Sequence, residues 1–557
     1  MKRIPGSLDD RCFDIAIIGG GITGACLATD AARRGLSVAL VEKSDFGGAT
    51  SSASSKLLHG GIRYLQQLQF AKVRESAYER AYFQNLAPHL TRYIPFVIPS
   101  YRGLSKGRPA LGAALSAYRM LCAGQNARIR DPGKRVPEGH LIGRDRITQL
   151  LSDFRVGGLT GGLVIHESHM HSSERMTLAF LDTAYRLGAV VVNYMEAESL
   201  LGIETGRVAG VRVKDRLTGD IRDLRAGLVI NAAGPWIPRI NKAIESSSTP
   251  GVVTAYSKGA HILTRSLTQG YALALPIKKR NQSLVNRGGR HVFIIPWRGR
   301  SLIGTTYRPY DGDLDEVRPT EDDIREMLDD INSALGDRVL ARDDILHAYA
   351  GLYPLTDEVV RPGVYQGTGR YEIVDHAVSG DMTGLLSVFG AKYTTARLLA
   401  EKALDYIVNR YDMTAAECAT RYLPLHGGEI DDMEGFRRAC KDRYGALLDE
   451  ECIEHLVTNY GTGIDALISY IQSDSSLGQE LLPGSHVLAA EAVHAAREEM
   501  VCHLDDFVFR RSGLGTLGNP GISVLQRCAG LIGAELGWSE SVMADEITRT
   551  LKGFITC

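Results

Sequence analysis

Several features are missing from this 557-residue chain, and each absence closes off a class of protein. Its nine cysteines are scattered (12, 26, 122, 418, 440, 452, 502, 528, 557) and none forms a CxxC pair, so neither a disulfide framework nor a zinc ribbon is expected. No apolar run approaches the roughly 18–20 residues of a membrane-crossing helix. The opening stretch, residues 1–10, lacks the apolar core of a signal peptide. There is no Gly-X-Y period, which excludes collagen, and a formal net charge of −1 offers no general attraction to nucleic acid. A reducing, cytoplasmic setting is the expectation.

What is present is ordinary in bulk and uneven in detail. The length suggests two or three domains, and 44% hydrophobic with 23% charged residues fits a folded chain. Glycine is in surplus, with 60 residues, where an average chain of this size would hold about 40. Charge is segregated. Residues 101–135 carry eight Lys/Arg and one Asp, whereas residues 415–557 carry 22 acidic and 11 basic side chains. Leu111, Leu115, Tyr118 and Cys122 recur at helical spacing within the basic segment. That pattern suits docking on an anionic lipid surface, or else a charged loop over a core helix.

Periodicity places the elements. Residues 13–18 and 37–42 read as buried strands around a helix over 22–34. A second such unit runs from a helix at 174–187 through strand 189–193 and a hairpin at 207–226 to the strand beginning at Gly227. A third strand-to-helix passage spans 385–390 and 394–409, and residues 250–375 look like an antiparallel sheet. Helices are expected at 431–443, 447–459, 487–511, 521–535 and 541–552.

Gly19-Gly-Gly21-Ile-Thr-Gly24 matches G-x-G-x-x-G between a strand and a helix, and Glu42 follows at the end of the next strand. Gly19 permits the tight turn, Gly21 lets a pyrophosphate approach the backbone, and Gly24 lets helix and strand pack closely. The helix N-terminus offers N–H groups to phosphate, and Glu42 can accept ribose hydroxyls. The turn alone does not separate FAD from NAD. A hydroxyl-rich loop follows, Thr50-Ser-Ser-Ala-Ser-Ser-Lys-Leu-Leu-His-Gly-Gly-Ile-Arg-Tyr-Leu65, which suits a further wrapping of an extended cofactor.

Here the chain resembles the FAD-dependent, quinone-linked glycerol-3-phosphate dehydrogenases of the glycine oxidase/D-amino-acid oxidase-like superfamily. The resemblance extends through Asn231-Ala-Ala-Gly-Pro-Trp236, Lys258-Gly-Ala-His261, Ile295-Pro-Trp297, Ile303-Gly-Thr-Thr306, Ser387–Thr395 and Leu504-Asp-Asp-Phe-Val-Phe-Arg-Arg511. It implies an α/β Rossmann-like FAD domain drawn from 11–100, 140–245 and 345–410. An antiparallel-sheet substrate domain near 246–345 and an all-α domain over 411–557 complete it. It implies FAD contacts at Gly19, Gly21, Ile22, Thr23, Gly24, Glu42, Lys43, Thr50, Ser51, Ser54, Ser55, Lys56, Leu57, His59, Gly60, Gly61, Ala233, Gly234, Trp236, Gly390, Lys392, Tyr393 and Thr394, with His59-Gly60-Gly61 against the flavin.

On the substrate side stand Arg63, Tyr64, His261, Tyr353, Arg370 and Lys392. His261 is the first candidate for general base, because an ordinary histidine titrates near the working pH, and His59 is the alternative. Arg63 and Lys392 suit a phosphate or a developing alkoxide. The implied reaction oxidises glycerol 3-phosphate, with electrons passed to quinone or, in oxidases, to O2. A homodimer and attachment to the inner face of the cytoplasmic membrane are further expectations. Metal is not expected: His166-Glu-Ser-His-Met-His171 misses H-E-x-x-H, and Asp311-x-Asp313-x-Asp315 reads as a solvated acidic turn.

Two positions depart from the family pattern. Gly304-Thr-Thr-Tyr307 has Tyr where Asp is usual, and Ala350-Gly-Leu-Tyr-Pro-Leu355 has Tyr353 where a phosphate-binding Arg is usual. A phenol cannot replace a bidentate guanidinium. Either another cation compensates, with Arg308 the nearest in sequence, or the substrate is another polyol phosphate such as erythritol phosphate, or an unphosphorylated polyol. A non-catalytic flavin-binding scaffold is the alternative of another class.

Overall fold

The computed structural model describes residues 1–9, 11–102, 107–244, 253–277, 291–336, 339–355, 371–379, 382–390 and 392–554. The apolar run near the N-terminus forms the strand Cys12–Ile18, which pairs in parallel with Val38–Val41 on one side and Ile221–Asn231 on the other. Val190–Val192 and Leu385–Gly390 extend the parallel sheet outward, and Tyr371–Asp375 closes one edge antiparallel. A strand with helices on one face and more chain on the other has no polar face, which is why these runs read as continuous Val/Ile/Leu.

Helices Ile22–Arg33, Ser173–Arg186 and Ala396–Arg410 cover one side of this eight-stranded sheet around Ile15, Ile17, Leu27, Phe180 and Leu404. An antiparallel ribbon covers the other, around Ala16, Val41, Val211, Val213 and Val229. The strand Ile221–Asn231 serves both structures. Its first half pairs antiparallel with Gly210–Asp215, and its second half runs parallel to Cys12–Ile18.

The second sheet has ten strands and is wider than residues 246–345. Thr91–Tyr101, Leu159–Met170 and Ile345–Leu355 all join it, because their longest ladders are with each other and with Ala255–Thr264. Helix Glu321–Leu335 seals its outer face with Ile324, Met327, Ile331 and Leu335. Thr320 and Asp323 close a reciprocal cap at its start.

The C-terminal region is helical: Met433–Tyr444, Glu450–Tyr460, Ile464–Ser473, Ala489–Glu498, Ile522–Leu536 and Glu540–Leu551. The single helix expected over 487–511 is broken. Met500 has φ +52, and the Asp506 carboxylate accepts from Cys502 N and His503 N, both at 2.9 Å. This starts a separate, wide π-helical turn at Asp506–Arg511.

That turn welds the helical domain to the first sheet. Arg511 donates to both oxygens of Asp45 at 2.8 Å, and both residues are fully buried. Arg510 also pairs with Asp45, Tyr194 donates to Asp506 at 2.6 Å, and Arg175 pairs with Glu499 at 2.8 Å. Burial alone would raise the Asp45 carboxyl, but Arg511 and Arg510 hold it well below the usual range.

Removing one member of such a pair leaves a buried, uncompensated charge. Arg511→Met is therefore expected to lose about 3–5 kcal/mol of stability, read from the urea midpoint. Asp45→Asn added to it should cost much less than Asp45→Asn alone. The weld's contribution is complete above about pH 4, the unfolded aspartate value, and is lost as pH falls toward the depressed folded value.

Candidate active site

A cavity of about 1520 Å³ opens above the C-terminal ends of the parallel strands, lined from both sheets and from the helical domain. Ordinary small-molecule pockets hold roughly 300–1,000 Å³, so this space suits an extended cofactor together with a substrate. The Gly-rich turn forms its floor. A Cβ on Gly24 would lie 1.9 Å from Gly19 O, so this glycine is demanded by packing. Around Gly21 only Ser51 Oγ comes near, at 3.2 Å, and the cavity side stays open to a pyrophosphate. Gly21 brings no side chain to the start of helix Ile22–Arg33; Ile22 N donates to Ser51 Oγ at 2.9 Å, and Gly21, Ile22 and Thr23 line the cavity at this dipole end. Glu42 accepts from Gly20 N at 2.7 Å and Ser44 N at 2.9 Å, one bond per oxygen. Burial raises its pKa while these bonds oppose the rise. Each oxygen keeps acceptor capacity for a ribose hydroxyl. This donor and acceptor set fits a dinucleotide.

The hydroxyl-rich loop is clamped from outside. Ser173 Oγ donates to Ser51 O at 2.8 Å, and Tyr349 OH donates to Ser54 O at 2.7 Å. Lys56 is 1% exposed; it donates to Ser52 O at 2.7 Å and Glu174 Oε1 at 2.6 Å. Its charge is therefore matched inside the protein, and its first role is to fix the loop. Farther along, His59 N donates to Thr394 Oγ1 at 3.1 Å, joining this loop to the turn after Leu385–Gly390. Gly60 N donates to Glu167, and Tyr118 OH donates to Gly60 O at 3.1 Å. A Cβ on Gly60 would collide with Tyr118 OH and Arg80 Nη1, at 2.2 and 2.3 Å. Its smallness answers the groups behind the wall, where the sequence suggested the cavity side.

His261 faces the cavity from Ala255–Thr264, stacked on Tyr349 with ring centres 5.2 Å apart. Gly304, opposite it on the neighbouring strand, makes room, since a Cβ there would come within 2.2 Å of the imidazole. Both ring nitrogens are buried without a hydrogen-bond partner. Burial, reinforced by Lys56, lowers its pKa to about 3. The ring is thus neutral at pH 7 and does not titrate near it as an ordinary histidine would. His59 is also lowered by burial, partly offset by Glu167. Lys392 rests its Nζ 3.8 Å from the centre of the Tyr64 ring, and burial brings its pKa to about 7.

Of the residues that the resemblance assigned to cofactor and substrate, Gly24 and Gly60 sit behind the wall and Arg370 lies outside the described residues; all the others line this one cavity. Some are committed to other partners. Lys43, Trp236 and Arg239 converge on Asp315, and Arg239 also holds Asp313, so the solvent-exposed acidic turn is also an ion-paired rim. Arg308 does not compensate for Tyr353. It pairs with Glu326 at 2.9 Å and Asp323 at 3.4 Å, drawn toward helix Glu321–Leu335. Lys134 of the basic segment is buried and donates to Pro88 O and Thr91 O.

Glu167, Asp45, Glu174 and Arg510 were not read from the sequence. Strand alternation could have found Glu167, since Leu163, Ile165 and Glu167 share the cavity side of Leu159–Met170. Arg510 lies in the Leu504–Arg511 motif, and only tertiary structure shows what it grips.

The family model "FAD dependent oxidoreductase" matches residues 14–397, and "C-terminal domain of alpha-glycerophosphate oxidase" matches residues 418–543. The glycerol-3-phosphate dehydrogenase of Synechocystis sp. is 29% identical, over 99% of this chain and 97% of its own. The mitochondrial glycerol-3-phosphate dehydrogenase of Mus musculus is 32% identical, over 96% of this chain and 72% of its own. Among solved structures, the glycerol-3-phosphate dehydrogenase of Bacillus halodurans complexed with FAD superposes with a TM-score of 0.76 at 25% identity, over 98% of this chain and 95% of that one. With the dinucleotide cradle and the helical domain in place, the chain belongs to the FAD-dependent oxidoreductase family, is an FAD enzyme, and falls with the glycerol-3-phosphate dehydrogenases.

Proposed function

We propose that this enzyme oxidises the secondary alcohol of glycerol 3-phosphate to dihydroxyacetone phosphate and passes the electrons to a membrane quinone. The observation that carries the reading is His261, buried with both nitrogens unpartnered, in one cavity with the cations Arg63 and Lys392. Bound FAD supplies the two-electron acceptor. The protein's part is to hold and polarise. Arg63 and Lys392 take the phosphate. An unpartnered His261 nitrogen accepts the proton of the reacting hydroxyl, with His59 the second candidate. A nearby dianion favours the protonated forms of both His261 and Lys392, raising their low pKa values when substrate enters.

The basic segment supports a membrane-facing role in its folded form. Helix Arg108–Leu121 buries Leu115 and Tyr118 and leaves Met120 exposed, and Leu68 and Phe70 are also exposed. Apolar tips among Arg side chains suit an anionic lipid surface, where quinone resides. Among the described residues no helix is long and apolar enough to cross a membrane. Tyr353 and Tyr307, both lining the cavity, favour a second reading in which a longer polyol phosphate such as erythritol phosphate is the better substrate.

Anaerobic substrate addition is expected to bleach the yellow enzyme; a spectrum unmoved by any polyol, phosphorylated or free, would leave only a flavin-binding scaffold. Comparing bleaching rates for glycerol 3-phosphate, erythritol phosphate and free polyols ranks the two substrate readings. Lys392→Met should cut kcat/KM for the phosphate substrate by roughly 10- to 150-fold, the value of one charge-assisted contact. In the wild type, kcat/KM should fall as pH rises through about 7, where Lys392 loses its proton, and Lys392→Met should abolish that limb. Tyr353→Arg is expected to raise kcat/KM for glycerol 3-phosphate if the missing guanidinium limits binding; an unchanged or lower value refutes that account.

A further inference from the structure

We propose that the C-terminal domain binds one divalent transition-metal ion, of zinc's class, between Asp449, Cys452, Glu480 and His486. Asp449 caps helix Glu450–Tyr460 and accepts from Cys452 N at 2.7 Å, which fixes its carboxylate beside the Cys452 thiol. The facing turn is held by Glu480, whose carboxylate accepts from Gly484 N at 2.6 Å and His486 N at 3.0 Å. The ligand atoms of Asp449, Cys452 and His486 all lie within 4.8 Å of one another. Glu480 Oε1 adds a fourth, 3.0 Å from His486 Nδ1 and 3.9 Å from Cys452 Sγ. Metal–ligand bonds of about 2.0–2.3 Å in a tetrahedron put neighbouring ligand atoms about 3.3–3.8 Å apart, so small side-chain rotations close the shell.

Capping and loop-stapling account for the two carboxylates. They do not account for His486. Its Nδ1 is shielded from solvent and makes no hydrogen bond, although a carboxylate oxygen stands 3.0 Å away. The 3.0 Å contact is an ion pair when the imidazole is protonated, and with the ring neutral it sets a nitrogen and an oxygen side by side as ligands to one ion. The residue also takes φ +58, a conformation that costs a non-glycine residue free energy and gathers at functional positions. Charge points the same way. Cys452 is 2% exposed and its Sγ faces Glu480 Oε1 at 3.9 Å, so a thiol and two carboxylates meet here. The nearby Arg527 is committed elsewhere, donating to Glu480 O at 2.6 Å and Gln479 Oε1 at 3.1 Å.

A divalent ion supplies the missing positive charge. As the metal–sulfur bond forms, the thiol proton passes to solvent. Sulfur and imidazole donors select zinc-like ions over magnesium or calcium. The ion would lock helix Glu450–Tyr460 to the turn that leads into Ala489–Glu498, and so brace the segment that brings Glu499 to Arg175.

The test uses full-length FAD-loaded enzyme, stripped with chelator, exposed to zinc sulfate and gel-filtered. One zinc per chain and a raised Tm are expected, with no Tm change from magnesium or calcium. Cys452→Ser and His486→Ala should each lose the zinc and the shift while keeping flavin absorbance and alcohol oxidation. Cobalt added to the stripped wild type should give a thiolate-to-metal absorption band, a readout that survives if a variant fails to fold. Zinc retention below one-tenth per chain, retention equal in wild type and variants, or a cobalt complex without the thiolate band would each overturn the proposal.

Discussion

The buried carboxylate Asp45 anchors the first sheet to the helical domain, with the Tyr194–Asp506 and Arg175–Glu499 contacts beside it. It lies in the bend after the strand Val38–Val41, and two guanidiniums from the helical domain close on it. Three charges in a dry site are stable only together, so the geometry tolerates little slack. This makes the helical domain part of the cavity wall even though it lies far away in sequence. Phe509, Arg510 and Thr516 line the same cavity as Gly21.

The cavity's electrostatics follow from burial more than from pairing. His261 and Lys392 are both pushed toward their neutral forms by desolvation. Such groups respond strongly to an arriving anion, because each can gain the charge it lacks at modest cost. Burial lowers Lys56 as well, but Glu174 at 2.6 Å opposes the shift, and its ammonium is spent on loop geometry. The three residues look alike in a motif and differ in what surrounds them.

Much of the fold was legible because its signals are local. The run before Gly19, the glycines of the turn and the strand ending at Glu42 carry their structure in residue type and spacing. The segment Glu321–Leu335 was readable too, from Thr320, Asp323 and the Ile324/Met327/Ile331/Leu335 stripe, but the Val/Ile-rich strands around it dominated the pattern. The break at Met500 left no comparable trace, because it depends on Asp506 reaching back to two amides. In the site, nearly all the residues suggested by motif do share one cavity. What the sequence concealed was orientation: that Arg308 turns to Glu326 and Asp323, that Gly60 is small for the sake of Tyr118, and that burial takes His261 far from its usual pKa.

The grip of Arg511 on Asp45 spans 466 residues. Chains emerge from the ribosome N-terminus first, and distant contacts form only once both partners exist. The Gly-rich turn is made early, within the first few dozen residues, yet the loop behind it gains its guanidinium anchors only when synthesis is nearly finished. Until then the nascent chain holds an unpaired buried-type carboxylate beside a half-built nucleotide cradle. The finished cavity is thus a late product of synthesis, and a chain interrupted before residue 510 would carry every glycine of the turn without the clamp that steadies the loop behind them.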